Sequence, residues 1–153
     1  MIELSPTEIA QIVGGRLVAG PDAPSTVSGE VHTDSRKVVP GAIFFALPGE
    51  VTDGHLFVAN AVENGAALLI VERELDSPAA QIVVADGYDA LASLAREVVA
   101  RVRARGTLRV VAVTGSNGKT TTENMLRAVL EGEGPTVAPW GSFNNHVGAP
   151  ISI

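Results

Sequence analysis

The sequence predicts an α/β protein made of two successive units, and three observations support this prediction. The segments 66–72 ("AALLIVE") and 81–86 ("QIVVAD") are near-continuous apolar runs, which is typical of parallel strands that are buried on both faces. Amphipathic helical patterns follow the predicted strands, as they do in parallel α/β sheets. The apolar run 110–113 then leads into a glycine-bearing loop and a further helical pattern over 121–134.

The first predicted helix begins after Ser5, which fits the N-cap position. Pro6 fits the first helical position, and Glu8 can complete a capping box with the serine. Apolar residues at positions 9, 12 and 13 share one face of this helix, and the glycine pair at 14–15 predicts its end.

Short strands are predicted over 16–18, 27–32 and 41–47, because turn-forming Gly, Pro and Asp residues bound each of them. The segment 53–65 predicts a helix with Phe57, Ala61 and Val62 on its apolar face. After the two buried strands, the segment 88–106 predicts a long amphipathic helix. Its arginines lie in the last turns, where cations interact favourably with the helix dipole.

Gly106 marks the predicted boundary, so that residues 1–106 form an α/β N-terminal domain and residues 107–153 begin a parallel-sheet domain. The second unit offers a strand, a loop, a helix and a short strand near 135–140. One such βα unit cannot cover both faces of a parallel sheet, so we expect a truncated domain. The alternative is that the C-terminal part packs against the first unit.

Composition excludes several classes of function. A formal net charge of -6 argues against non-specific nucleic-acid binding, and the absence of cysteine excludes disulfides and thiolate metal sites. The longest apolar run, 66–71, is too short for a membrane span, and the acidic start does not resemble a signal peptide. We therefore expect a cytoplasmic protein.

The loop 114–120 ("TGSNGKT") combines a preceding apolar run, two glycines, Lys119 and Thr120 at a predicted helix start. This is the setting of a phosphate-binding loop, in which the lysine reaches the β- and γ-phosphates and the threonine ligates Mg²⁺. The spacing departs from G-x-x-x-x-G-K-[ST], because Val113 stands where the first glycine belongs. The alternative is a turn that only reverses the chain, but Lys-Thr favours nucleotide binding.

Three segments carry a resemblance to one family. The segment 111–122 ("VAVTGSNGKTTT") resembles the ATP loop of the Mur ligases, the ATP-dependent amide-bond ligases that build the peptidoglycan stem peptide; folylpolyglutamate synthases and cyanophycin synthetases share a similar loop. The segment 32–72 ("HTDSRK…DGHLF…") is similar to the uridine-nucleotide-binding domain of the ligases that add the third residue and the terminal dipeptide. The segment 140–153 ("WGSFNNHVGAPISI") is similar to an N-x-N-N-x-x-G-x-P element of the dipeptide-adding branch, with Ser142 and His146 as departures.

The resemblance implies an ATP- and Mg²⁺-dependent ligase that joins D-alanyl-D-alanine to UDP-MurNAc-tripeptide through an acyl phosphate. It implies that Lys119 is catalytic and that Thr120 binds the metal. It further implies that the whole loop holds ATP, through Gly115, Ser116, Asn117, Gly118, Lys119, Thr120 and Thr121.

The same resemblance implies a substrate site formed by residues of three segments: Thr33, Asp34, Ser35, Arg36, Asp53, Asn144 and Asn145. From the residue types alone, the first four are more commonly a polar turn, although hydroxyl, carboxylate and guanidinium groups suit a uracil, a ribose and a diphosphate. Asp53 is equally an N-cap, and the two asparagines are equally an Asx turn.

Other functions stay open at this stage. The sibling ligase that adds the third residue differs only in the tail, and a stand-alone UDP-sugar-binding module would carry a vestigial phosphate loop. A regulatory P-loop NTPase would need a second, acidic Mg²⁺-binding strand, and no Asp follows an apolar run after the loop. For the leading hypothesis we expect a monomer at full length, no nucleic-acid or membrane partner, and little or no ATP turnover by these 153 residues alone.

Overall fold

The computed structural model describes residues 2–21, 23–49, 51–106, 108–138 and 148–151. The helices and strands follow in this order along the chain: α1 (Pro6–Val13), β1 (Arg16–Val18), β2 (Val31–His32), β3 (Ile43–Phe45), α2 (Val58–Glu63), β4 (Leu68–Val71), β5 (Ala80–Val83), α3 (Gly87–Arg105), α4 (Lys119–Leu130) and α5 (Gly148–Ile151). Two single-turn 3₁₀ helices, Ser35–Lys37 and Gly54–Phe57, follow β2 and precede α2 respectively. The predicted α/β class is confirmed.

The strands form one mixed sheet in the order β1-β5-β4-β3-β2. Strands β2 to β5 run parallel, whereas β1 pairs antiparallel with β5. All four residues of β4 are buried, and three of the four in β5 are buried, which confirms the two strands predicted from continuous apolar runs. The carboxyl ends of the four parallel strands therefore lie along one edge of the sheet.

Helices cover both faces of the sheet. Alternate residues of β3 and β4 point to one face, where α1 and α3 complete a core that includes Ile9, Phe45, Ile70 and Leu94. The intervening residues point to the other face and pack with α2 in a second, smaller core. This three-layer arrangement explains why the central strands carry no alternation of polar and apolar residues.

The N-terminus of α1 confirms the predicted capping box. The Ser5 backbone N–H donates to Glu8 Oε2 (2.9 Å), and the Glu8 N–H donates to Ser5 Oγ (3.2 Å). The Ser5 backbone hydrogen bond, followed by bonds from the Ser5 hydroxyl and Arg101, holds the pKa of Glu8 below its usual value. Gly14 ends the helix in the left-handed region with φ 65°.

Two predicted strands are shorter than expected. Of the segment 27–32 only Val31–His32 joins the sheet, because Val27 instead forms an isolated antiparallel bridge with Leu4. Of 41–47 only Ile43–Phe45 is a strand. Gly41, at the start of this segment, does not pair within the sheet, because its N–H donates to the Gly65 carbonyl oxygen (2.9 Å) between α2 and β4.

The predicted helix over 53–65 begins as a 3₁₀ turn, and this changes which residues face the core. Phe57, predicted to be on the apolar face, is 43% exposed, whereas Val58 is buried beside Ala61. A 3₁₀ turn has three residues per turn instead of 3.6, so a helical pattern counted through the junction places Phe57 wrongly.

The predicted strand at the start of the second unit is wrong within the described residues. Val110 and Val111 are 64% and 61% exposed, and the residues 108–113 have no strand partner in the part of the chain that the structure describes. Residues 135–138 also form no strand, and the rest of that predicted element lies outside the described residues. A strand requires a hydrogen-bonded neighbour, which no local pattern can supply.

Helix α4 forms as predicted, although none of its residues is buried. The short helix α5 contacts α3, and Ile151 packs against the core under α1 and α3. This contact agrees with the alternative stated above, in which C-terminal residues pack against the first unit.

None of the helices in the described ranges is long and apolar enough to cross a bilayer.

Candidate nucleotide-binding sites

The carboxyl edge of the parallel strands brings together polar residues from several turns. In open α/β sheets this edge is where ligands bind. The predicted residues Thr33–Arg36 follow β2 directly, and Asp53 precedes the 3₁₀ turn that leads into α2. Glu72 and Arg73 follow β4, and they contact the Asp53 turn as described below.

Asp34 and Arg36 form a two-point ion pair in the turn after β2. Asp34 Oδ1 accepts from Arg36 Nε (2.9 Å) and from its backbone N–H (3.1 Å), and Asp34 Oδ2 accepts from Arg36 Nη2 (2.7 Å). These bonds, led by those from the guanidinium, lower the pKa of Asp34 to about 2 and raise the pKa of Arg36. The Arg36 side chain is nevertheless 84% exposed, so its other N–H groups can meet an anionic ligand.

The other two residues of this turn are less accessible. Ser35 is 6% exposed, and Thr33 is half-buried. The Ser35 carbonyl oxygen accepts from Asn64 Nδ2 (2.9 Å), a contact that no sequence pattern indicated. The turn thus combines an exposed guanidinium with a fixed backbone.

Asp53 is confirmed as an N-cap, and both of its carboxylate oxygens have partners. Oδ1 accepts from the His55 N–H (3.0 Å) and lies 2.6 Å from His55 Nδ1, and Oδ2 accepts from Arg73 Nη2 (2.8 Å). The Arg73 bond, followed by the backbone bond of His55, holds the pKa of Asp53 well below its usual range. Its role in substrate binding stays a prediction.

His55 joins this turn to the end of β4. Its side chain is fully buried, and Nε2 accepts a hydrogen bond from the Glu72 N–H (2.9 Å). An accepting Nε2 carries no proton, so the neutral ring must donate from Nδ1 to Asp53. Nε2, the nitrogen that a catalytic Asp-His pair would present to a substrate, is thus already bonded to the Glu72 backbone, and the contacts of this pair are structural.

The phosphate loop has the backbone that its glycines predict. Gly115 and Gly118 have φ values of 144° and 79°, which side chains rarely allow. Gly118 is the N-cap of α4 and has no side chain that could cap the first turn. The backbone N–H groups at the start of α4 are thus left to an anion, which the helix dipole also favours.

Lys119 closes over this loop. Its Nζ donates to the Gly115 carbonyl oxygen (2.5 Å) and lies 3.4 Å from that of Ser116. The predicted loop residues Ser116 and Asn117 are exposed, as are Thr120 and Thr121 in the first turn of α4. Exposed hydroxyl groups and a half-buried ammonium group beside uncapped N–H groups suit a nucleotide phosphate and its Mg²⁺. The predicted residues Asn144 and Asn145 lie outside the described residues.

Two family models match the chain. The model described as "Mur ligase family, catalytic domain" matches residues 29–108, and the "Mur ligase middle domain" matches residues 113–153. The first includes the turn after β2 and the His55 network, and the second includes the phosphate loop.

Characterised relatives share the whole chain or much of it. The UDP-N-acetylmuramoyl-tripeptide--D-alanyl-D-alanine ligase of Mycobacterium bovis is 41% identical over 175 residues, which cover 100% of this chain and 34% of that protein. The UDP-N-acetylmuramoyl-L-alanyl-D-glutamate--2,6-diaminopimelate ligase of Syntrophomonas wolfei is 44% identical over 117 residues, or 75% of this chain and 24% of that protein. The chain thus spans about a third of the length of the first of these relatives.

Solved structures show the same arrangement. MurF from Acinetobacter baumannii superposes with a TM-score of 0.81 at 37% identity, over 99% of this chain and 32% of that one. MurF from Thermotoga maritima, determined in complex with ADP, gives a TM-score of 0.68 at 35% identity over 81% of this chain and 28% of that one. Because the family's own model matches more than half of its length, the chain belongs to the Mur ligase family.

Proposed function

We propose that this chain provides the uridine-nucleotide site and the ATP loop of a ligase that adds D-alanyl-D-alanine to UDP-MurNAc-tripeptide. One observation carries the proposal: a single chain holds both an exposed guanidinium at the carboxyl edge of its sheet and an uncapped Lys-Thr helix start. The names of the M. bovis relative and of the MurF structures support the choice of substrates.

At the carboxyl edge, Arg36 is the proposed diphosphate ligand. Its planar fork of N–H donors matches phosphate oxygens, and Asp34 fixes its orientation through Nε and Nη2. Thr33 is the proposed contact to the ribose or the uracil, and the backbone of Ser35 is a proposed contact to the diphosphate beside Arg36.

At the loop, ATP is the proposed phosphoryl donor. Gly115–Thr121 would hold its phosphates through backbone N–H groups, and Lys119 would neutralise charge on the transferred phosphoryl group. Mg²⁺ would be held in part by the Thr120 hydroxyl and would supply further charge neutralisation. The tripeptide carboxylate would displace ADP to give an acyl phosphate, from which the dipeptide amine would then displace phosphate.

The proposed domain division is residues 1–106 and 107–153, with α3 ending at Arg105 and Gly106 as its C-cap. Each proposed ligand then belongs to a different domain, the uridine nucleotide to the first and ATP to the second. We place the activity in the cytoplasm because that compartment supplies ATP.

Calorimetry on the 153-residue chain tests the two sites separately. We expect Arg36→Ala to weaken uridine diphosphate binding by about tenfold, the value of one charged hydrogen-bond pair, and to leave ATP binding unchanged. Lys119→Ala should weaken ATP binding and leave uridine diphosphate binding unchanged, so that each variant is the control for the other. Failure of the unmodified chain to bind uridine diphosphate would refute the proposal for the sheet edge.

The sibling ligase that adds the third stem-peptide residue is the second candidate, because the S. wolfei diaminopimelate ligase shares 44% identity over 117 residues. The two candidates use different precursors. A full-length enzyme that carries this sequence should release phosphate with the tripeptide precursor and D-alanyl-D-alanine. Release with the dipeptide precursor and diaminopimelate instead would establish the sibling.

A further inference from the structure

The C-terminal end of α2 contacts the connection between β2 and β3 at two points, the first in the Ser35–Lys37 turn and the second at Gly41. Asn64 Nδ2 donates to the Ser35 carbonyl oxygen (2.9 Å), and the Gly65 carbonyl oxygen accepts from the Gly41 N–H (2.9 Å). Gly65 has φ 93°, and a Cβ there would lie 2.9 Å from the Pro40 Cα. The close approach of α2 to the segment 35–41 therefore depends on a glycine next to the asparagine.

The Asn64 side chain is not needed to end its own helix. Its backbone N–H already donates to the Asn60 carbonyl oxygen (3.0 Å), which closes the last turn of α2. The side-chain amide instead reaches a different element, 29 positions earlier in the chain. Its contact with Asn60 Oδ1 is longer, at 3.5 Å.

Two backbone hydrogen bonds close the Ser35–Lys37 turn: the Lys37 N–H donates to the Asp34 carbonyl oxygen (3.0 Å), and the second bond ends on the carbonyl oxygen that Asn64 also bonds. Within the turn, this oxygen accepts only a long bond from the Val38 N–H (3.4 Å). The bond from Asn64 is 0.5 Å shorter, since it measures 2.9 Å. Arg36 lies inside this turn, so the fixed position of its backbone depends on the tertiary contact as well as on the local one.

We propose that Asn64 is a positioning residue for the uridine-nucleotide site: its amide holds the Ser35 carbonyl so that Arg36 faces the diphosphate. This inference rests on the proposed function of the sheet edge. Asn64 itself touches no ligand. Its contribution is to fix the turn before binding, so that the ligand does not have to order it.

The test compares uridine diphosphate with uridine as calorimetric ligands of the 153-residue chain. Asn64→Asp keeps the shape of the side chain but replaces its N–H donors with an acceptor that faces the Ser35 carbonyl. We expect this variant to lose about 5- to 15-fold in affinity for uridine diphosphate, the value of one ordered hydrogen bond, and less than about twofold for uridine. Asn64→Ala should give a loss of the same order with the same difference between the ligands.

Glu63→Ala is the matched control, because Glu63 is exposed and ends the same helix. It should leave both affinities unchanged. Circular dichroism fixes a measurement temperature at which every variant is folded. No uridine diphosphate binding by the unmodified chain would refute the proposed function. Binding by the unmodified chain with no change in the Asn64 variants, or with equal losses for both ligands, would overturn the positioning role alone.

Discussion

Replacement of His55 by alanine should lower the free energy of unfolding by several times the loss that a surface substitution causes. The His55 side chain is fully buried and supplies an acceptor to the Glu72 N–H (2.9 Å) and a donor to Asp53 (2.6 Å). An unsatisfied backbone N–H costs about 1–3 kcal/mol, and a hydrogen bond to a charged group contributes about 1.5–3 kcal/mol. Asp53 is 34% exposed, so water replaces part of its lost bond. The lower ends of these ranges therefore apply, giving about 2.5 kcal/mol.

Urea unfolding followed by far-ultraviolet circular dichroism measures this loss. For a folded unit of about 100 residues, about 2.5 kcal/mol corresponds to a fall in Tm of roughly 10–20 °C in a thermal melt. Leu56→Ala is the matched control, because Leu56 lies in the same turn and is 72% exposed. It should change the free energy of unfolding by less than about 0.5 kcal/mol. A loss below about 1 kcal/mol for His55→Ala, with unchanged hydrogen exchange at the Glu72 amide, would refute the reasoning.

Three further predictions concern other residues in the N-terminal half of the chain. The pKa of Asp34 falls from 3.8 to about 2 on folding, so its stabilising contribution is complete above about pH 4 and is lost as pH falls towards 2. Asp34→Asn should therefore flatten the dependence of the urea midpoint on pH between about 4 and 2. An unchanged pH dependence would contradict this prediction. Ser5→Ala should cost about 1 kcal/mol by removing the capping box, with exposed Thr7→Ala as control. Gly65→Ala should destabilise more than Gly14→Ala in thermal melts, since both have positive φ but only Gly65 has backbone 2.9 Å from an added Cβ; equal losses would show that the contact is unimportant.

The elements that could be predicted from sequence are those whose determinants are local or repeated along one segment. The capping box of α1 involves residues three positions apart, and the burial of β4 follows from one continuous apolar run. The shortened strands could not be predicted in the same way. Val27 has suitable strand propensity, but its partner is Leu4 and not a neighbour in the main sheet.

The candidate sites also contain some contacts with local determinants and others that only the fold creates. Arg36 and Asp34 are two positions apart, and their spacing already suggested a polar turn. The roles of His55 and Asn64 depend on Glu72 and Ser35, which the fold brings to them from 17 and 29 positions away. For His55, the spacing of two residues after a capping aspartate indicated only its contact with Asp53 and not the one with Glu72. Asn64 had none, because an asparagine before a glycine also fits an ordinary helix end.

Residues 110–130 show which structures a local sequence specifies without packing against other elements. The left-handed Gly118, the helix start at Lys119 and the twelve residues of α4 form although Met125 and Val129 are 67% and 68% exposed. Val110 and Val111 are equally apolar but form no strand in the described residues. A helix satisfies its backbone hydrogen bonds internally, whereas a strand needs a neighbouring strand to satisfy them. The geometry of a phosphate loop is therefore encoded at the loop itself, whereas apolar residues before it do not specify a strand without a neighbouring strand to pair with.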